Sequence, residues 1–274
     1  VAAASLRDRL RALYPGVSGR RLKQWLVAGR IRVNGVVVRR GDVTVAADAR
    51  VELARPVIAF PSELRLVHDD ADLVVVDKPA GLLTIATETE RKHTAYRYLR
   101  DWVHAQGQGR IFVVHRLDRE TSGLLVFART PAAKRSLQSQ FQARTVERVY
   151  VARVEGVVRE GAGELRSRLV EDRSLRIRAA RGGSRGVEAI TRFRVLERYR
   201  DATLLEVTLV TGRRGQIRVQ LAARGHPVVG DRTHGSQRDP LGRLGLHATR
   251  LGFVHPQGRR VVFDSPAPVG FRRA

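Results

Sequence analysis

The sequence predicts an α+β protein: a mixed, mainly antiparallel sheet with flanking helices over residues 56–274, preceded by a small α/β unit over residues 1–55. Three observations carry this. Apolar runs of strand length follow one another in tandem with few long helical patterns between them, which argues against a doubly wound parallel sheet. From Leu64 onward no internal repeat is visible. Two prolines, Pro56 and Pro61, interrupt the short apolar stretch from Arg55 to Pro61 and mark a linker. Of the 274 residues 43% are hydrophobic, so a sizeable core can be buried and wholesale disorder is excluded.

The first unit reads as helix, helix, hairpin. Leu6, Leu10 and Leu13 recur at helical spacing and stop near Tyr14-Pro15-Gly16. Ser18 caps a second helix whose apolar positions are Leu22, Trp25 and Leu26, and Gly29 closes it. Ile31 to Val38 follows as a hairpin turning at Asn34-Gly35. Arg20, Arg21, Lys23, Arg30 and Arg32 make this unit densely basic. In the second unit Leu73–Asp77, Ile111–His115 and Leu124–Ala128 are apolar runs of strand length. Pro131–Arg144 has helical character, and Val149–Val154 returns to strand. The Gly- and Arg-rich segment 157–190 is expected to form hairpins and loops at the surface. Ala202–Val210 is a further strand, and a helix over Gln216–Ala223 ends at Gly225-His226-Pro227.

Charge points to the partner. Lys and Arg outnumber Asp and Glu by 51 to 27, a formal net charge of +24, and such a field attracts polyanions. Nucleic acid is the first partner expected and an anionic membrane surface the second. The apolar runs fall far short of the roughly 20 residues that span a bilayer. Only Lys23, Lys78, Lys92 and Lys134 are lysines. Arginine suits phosphate forks and base stacking, although a GC-rich genome produces the same bias. The absence of Cys excludes disulfides, thiolate zinc sites and cysteine nucleophiles. No stretch reads as a signal peptide, and a cytoplasmic monomer is expected.

The sharpest segment is His115-Arg-Leu-Asp-Arg-Glu-Thr-Ser-Gly123, a run of charged and hydroxyl groups between two apolar strands. Loops held by a rigid scaffold commonly carry catalytic groups. Arg116 and Arg119 flank Asp118, which favours an ionised carboxylate available as nucleophile or base. Taken alone, such an Asp fits a structural role better, bonding loop amides. His226, Asp231 and His234 have a spacing that suggests zinc, but no third strong ligand accompanies them. Tyr96, Tyr98 and Trp102 read as packing residues rather than a stacking platform for bases.

Resemblance adds to these readings. The phrase from Ser18 to Val38 resembles the small RNA-binding module shared by a ribosomal small-subunit protein and many RNA-modifying enzymes. His115 to Ala128 resembles the signature loop of the RluA-like pseudouridine synthases, whose Asp is catalytic. Asp77-Lys-Pro-Ala-Gly81 is similar to that family's first motif, and Tyr150, in Arg148-Val-Tyr-Val-Ala152, falls where the family keeps an active-site Tyr. Thr211-Gly-Arg-Arg-Gly-Gln-Ile-Arg218 with Gly225-His-Pro-Val-Val-Gly-Asp231 resembles the third motif, and Leu246-His-Ala248 the word after it. The resemblance spans residues 64–270. Gly215 departs from it, standing where His is usual, and His234 stands where Tyr is more usual.

What the resemblance implies is an isomerase that detaches uracil from its ribose, rotates it and rejoins it through carbon 5. Asp118 attacks the ring or the ribose, or acts on the ribose as a base. Arg218 pairs with Asp118 and holds it ionised. Tyr150 lies against the base, Leu246 packs beneath it, and Arg116 fills the space left by the flipped uridine. No metal or organic cofactor is required. Ribosomal RNA, of the large subunit, is the expected substrate and transfer RNA the alternative. A catalytically silent RNA-binding or ribosome-assembly factor has no use for Asp118, Tyr150 and Arg218 together. A metal-dependent nuclease needs a carboxylate cluster that the sequence lacks.

Overall fold

A computed structural model describes residues 4–54, 59–106, 109–172, 177–180 and 186–272. The chain separates into two compact units, one of residues 1–59 with 104–108 and the other of residues 60–103 with 109–274. Most of the expected linker, at residues 55–58, lies outside the described residues.

In the first unit, α1 (Leu6–Leu13) and α2 (Gly19–Val27) begin at Ser5 and Ser18, whose side chains accept hydrogen bonds from the amides of Asp8 and Arg21. Such caps satisfy amides that the helix leaves free. The buried faces, Leu6 and Leu10 on α1 and Leu22, Trp25 and Leu26 on α2, meet Ile31, Val45 and Ala49 in one core. Strands Val36–Val37, Ile31–Val33 and Val51–Leu53 form an antiparallel sheet. Its hairpin turns at Asn34 and Gly35, with φ of 50° and 83°, the left-handed pair that a two-residue turn of this hand demands.

The second unit is built on an 11-stranded sheet. Across its main path the strands run Ile177–Ala179, Ala162–Glu171, Val187–Arg198, Ala202–Leu209, Glu147–Glu155, Leu246–Val254, Ser122–Ala128, Leu73–Lys78 and Arg65–Asp69. Phe112–Val113 and Arg260–Asp264 pair off this path. Leu246–Val254 runs parallel to Ser122–Ala128, whereas the other pairings of this sheet are antiparallel. Leu73–Val76 and Leu124–Ala128 are buried on both faces, which is why they read as unbroken apolar runs. Ala133 and Leu137 of α4 (Pro131–Gln142) join Leu73, Val75, Leu124 and Val126 in the core.

Several expectations need correction. The described part of segment 157–190 forms the expected hairpin pairing, but as full strands of the main sheet: Ala162–Glu171 pairs with the start of Val187–Arg198, from Ala162 opposite Arg194 to Leu169 opposite Val187. Leu165, Leu169 and Ala189 face inward, while Glu164, Arg166, Glu188 and Arg192 exchange ion pairs on the exposed face. Alternation of period two was masked by the charges. Of the run Ile111–His115, only Phe112–Val113 joins the sheet. Helix α3 (Ala95–Ala105) also went unanticipated; it buries Ala95, Leu99, Trp102 and Val103. Trp102 packs edge-on against Phe60 at 5.0 Å, so it is a core residue, as read from the sequence.

Helix α5 (Gln216–Ala223) is buried nearly all round. Gln216 Nε2 donates to Ile190 O at 3.0 Å and to Thr191 Oγ1 at 2.8 Å. Gln220 Nε2 donates to Leu165 O at 3.1 Å and Ala189 O at 2.9 Å. Two amides thus fasten the helix to the strands beneath it, and the helix in turn presents Arg218.

Candidate active site

Asp118 sits on the loop between Phe112–Val113 and Ser122–Ala128, and neighbouring segments clamp that loop. Gly123 follows it with φ of 113° and lies so close to Ala248 that a Cβ there would overlap the Ala248 backbone. Only glycine permits both. Leu117 is held from both sides by Thr84, whose Oγ1 donates to Leu117 O at 2.8 Å and accepts from Leu117 N at 3.1 Å. Arg119 O receives Gly81 N at 2.9 Å, and Arg119 Nε returns a bond to Gly81 O at 3.1 Å.

Lys78, fully buried, ties these pieces together. Its Nζ donates to Pro79 O at 2.8 Å, Leu82 O at 2.7 Å and Arg119 O at 3.2 Å. Burial pulls the ammonium down to about 7, against the nearby carboxylates of Glu120 and Asp118. Three carbonyls match the three donors of the charged form. The first motif therefore acts as the brace of the Asp118 loop. Lys78→Met strips the donor from two carbonyls that have no other among the described residues, and each such group costs about 1–3 kcal/mol. A fall in the urea midpoint equivalent to about 2–4 kcal/mol is expected, with turnover falling too; an unchanged midpoint contradicts the brace.

The loop opens on a cavity of about 580 Å³. Asp118, Tyr150, Arg218, Arg116 and Leu246 all line it, so the five residues singled out as catalytic or substrate-binding meet in one place. Asp118 is the only carboxylate among the lining residues, facing six arginines. Tyr150 is buried, and burial pushes its phenol up to about 12. It is therefore a neutral donor at ordinary pH. His115 is held neutral as well, pushed down to about 3 by burial and then by the Arg148 guanidinium. Its ring accepts Val126 N at 3.1 Å and stacks on Phe141 at 4.6 Å.

Arg218 stands within ion-pair distance of Asp118, as expected, but has a second and tighter partner. Nε and Nη2 each reach an Asp231 oxygen at 2.7 Å, while Nη1 pairs more loosely with Asp118 Oδ2 at 3.7 Å. The Asp231 side chain is completely buried, and a buried carboxylate takes the planar fork of an arginine in preference to a longer contact. Burial alone would raise Asp231; the bonds from Arg218 and His234 instead hold it at about 2. Arg218 is thus locked in orientation by one carboxylate and offers its remaining edge to the other.

The two departures from the family pattern fall here. Gly215 precedes α5 with φ of 62° and has open space where a side chain would stand. His234 Nδ1 donates to Asp231 Oδ2 at 2.9 Å, sharing the carboxylate with Arg218. His226 is engaged elsewhere, its Nδ1 2.9 Å from Glu155 O. Among the described residues no group of three His, Asp or Glu is arranged to hold a metal.

The basic residues of the first unit divide. Arg20, Arg21, Lys23 and Arg32 are exposed. Arg30 is tied down, its Nε donating to Ala54 O at 3.1 Å and its guanidinium lying 5.5 Å from the centre of the Trp25 ring. Sequence reasoning passed over Arg7, Arg11, Arg39 and Arg40, which with Lys23 line a second cavity of about 540 Å³. In the second unit it passed over Arg148, which lines the main cavity.

Comparison with known proteins agrees with this geometry. The family model described as RNA pseudouridylate synthase matches residues 72–223. "Ribosomal large subunit pseudouridine synthase D" of Neisseria meningitidis serogroup B is 35% identical over 98% of this chain and 77% of its own length. The protein of the same description from Pseudomonas aeruginosa is 35% identical over 94% of this chain and 87% of its own. Among solved structures, human RNA pseudouridylate synthase domain containing 1 is similar with a TM-score of 0.62 and 27% identity, over 75% of this chain and 84% of that one. With the signature loop, the buried tyrosine and the arginine gathered in one cavity, this chain belongs to the RNA pseudouridylate synthase family and is an RNA-modifying isomerase.

Proposed function

We propose that the chain isomerises uridines of large-subunit ribosomal RNA and that Asp118 is the residue that attacks. The observation that carries the site is the solitary Asp118 carboxylate among six lining arginines, one nucleophile where a flipped base can reach it. Extruding a uridine from its stack costs a few kcal/mol, which Arg116 offsets by entering the vacated space. Leu246 supports the ring, and the neutral Tyr150 phenol donates to it or relays a proton. Arg218, fixed by Asp231, keeps positive charge beside Asp118 through the reaction. No step needs a metal or cofactor.

The division of labour proposed is a basic unit over residues 1–55 that supplies affinity and a unit over 56–274 that supplies chemistry. Arg20, Arg21, Lys23 and Arg32 are the phosphate contacts of the first, with Arg30 acting chiefly through packing. The chain works as a monomer in the cytoplasm, where its substrate is made. Among the described residues no helix is long and apolar enough to cross a membrane. The names of the Neisseria and Pseudomonas relatives favour large-subunit ribosomal RNA over transfer RNA. The test is tritium release from RNA labelled at carbon 5 of uracil, a hydrogen lost only when that carbon bonds ribose. Release is expected from large-subunit transcripts and not from a transfer RNA pool; the reverse pattern overturns the substrate.

A further inference from the structure

Arg148 has the least ordinary environment of the arginines in the cavity. It precedes Tyr150 by two residues on the strand Glu147–Glu155, so both side chains leave the same face, and both line the cavity. Arg148 is 9% exposed. Its Nε is buried with no hydrogen-bond partner, and among the described residues no carboxylate lies within ion-pair distance of its guanidinium. Phe141 offers only a ring, 5.8 Å from the guanidinium carbon. The backbone makes room for the group: a Cβ on Gly212 would collide with Arg148 Nη1.

Buried arginines are ordinarily paired, because an uncompensated charge out of water is costly. The other largely buried arginine of this cavity follows that rule, and two exposed ones also find acceptors. Arg218 bonds Asp231, Arg214 bonds Glu171 at 2.8 Å, and Arg213 donates to Glu188 O at 3.4 Å. A buried guanidinium left unpaired on the wall of a substrate cavity is held for an acceptor that arrives with the substrate. Arg144 lies near enough to act on Arg148 as a like charge, and it too lines the cavity. A neutral uracil carbonyl would satisfy a donor but leave two like charges together. An anion satisfies both.

We propose that Arg148 is a substrate-binding residue that takes the phosphate of the flipped uridine while its base lies against Tyr150. Two residues along a strand separate their side chains by about 7 Å, a distance that one nucleotide bridges from base to phosphate. The proposal rests on the reading that the Asp118 cavity receives the uridine.

The test compares the parent with Arg148→Met and Arg148→Lys, using tritium release from a large-subunit ribosomal RNA transcript across a salt series. Arg148→Met should lower kcat/KM by roughly 10–100-fold, the range for lost hydrogen bonds to a charged group. Its logarithmic salt slope should fall by about 0.7–0.9, the release of one phosphate contact. Arg148→Lys keeps the charge without the fork and should restore the slope but only part of the rate. Thermal melting of Arg148→Met should be unchanged or raised, since the fold gives the charge no partner, whereas a structural role would lower it. A rate loss with an unchanged slope overturns the phosphate in favour of a base contact. Unchanged kcat/KM in a folded Arg148→Met variant removes Arg148 from the substrate altogether. Failure of the parent itself to release tritium from any RNA would overturn the underlying reading, an outcome distinct from both.

Discussion

Asp118→Asn is expected to abolish pseudouridine formation, by roughly a thousandfold or more, while leaving the fold intact. Asn nearly matches Asp in shape but carries no anion to attack ring or ribose, and no other lining carboxylate can substitute. Stability should barely change. The Asp118 side chain is 24% exposed and 3.7 Å from Arg218, and loosely paired, partly exposed charges contribute about 0–1 kcal/mol. Nucleoside chromatography of digested RNA measures the product, and thermal melting the fold. Residual product above a few per cent of the parent's, from a variant that melts normally, would remove Asp118 from the chemistry.

Asp231→Ala should have the largest effect on stability of any single change at the site. It leaves the largely buried Arg218 without the two 2.7 Å bonds that hold it, and breaking a buried pair from one side costs about 3–5 kcal/mol. Turnover should fall as well, because Arg218 loses the orientation that keeps it beside Asp118. A pair of cycles separates the two carboxylates. Asp231→Ala with Arg218→Ala should be strongly non-additive in stability, and Asp118→Ala with Arg218→Ala close to additive. Equal coupling in the two cycles would contradict the assignment of Asp231 as the structural partner. Acid unfolding gives an independent reading. Asp231 is held at about 2, below the ordinary carboxylate value near 3.9, so the folded state binds its proton less readily than the unfolded chain. Its stabilisation is fully present above about pH 4 and is lost as pH falls toward 2. Asp231→Asn should lack that part of the acid slope.

How far these features could be read from sequence depends on whether they are local. Serine caps, the Leu6–Leu10 and Leu22–Trp25–Leu26 spacing and the Asn34-Gly35 turn are short-range signals, and the first unit follows them closely. Strands buried on both faces announce themselves as apolar runs. Val187–Arg198 did not, since its inward residues alternate with Arg and Glu that satisfy one another across the sheet. Helix α3 carried a usable signal in Ala95, Leu99, Trp102 and Val103, spaced by four, three and one, although arginines and tyrosines fill the gaps between them. The site itself was legible as motifs, and Asp118, Tyr150, Arg218, Arg116 and Leu246 do share one cavity. The pairing of Arg218 with Asp118 was legible, but its tighter partner Asp231 was not. Two carboxylates were available, and choosing between them depends on the fold bringing residue 231 over residue 218. Arg148 shows the same limit, because lacking a partner is a property of three-dimensional surroundings and leaves no mark on the adjacent sequence.

The central claim, that one carboxylate in this cavity isomerises uridine in RNA, meets its most direct test in a stoichiometry. RNA labelled with tritium at carbon 5 of uracil is incubated with the parent and with Asp118→Asn after dialysis against a chelator, and released tritium is counted against pseudouridine formed. The parent should release one tritium for each pseudouridine, without added metal, and Asp118→Asn should yield neither. Tritium release and product that persist in Asp118→Asn, or that return to the parent only with a divalent ion, would contradict it.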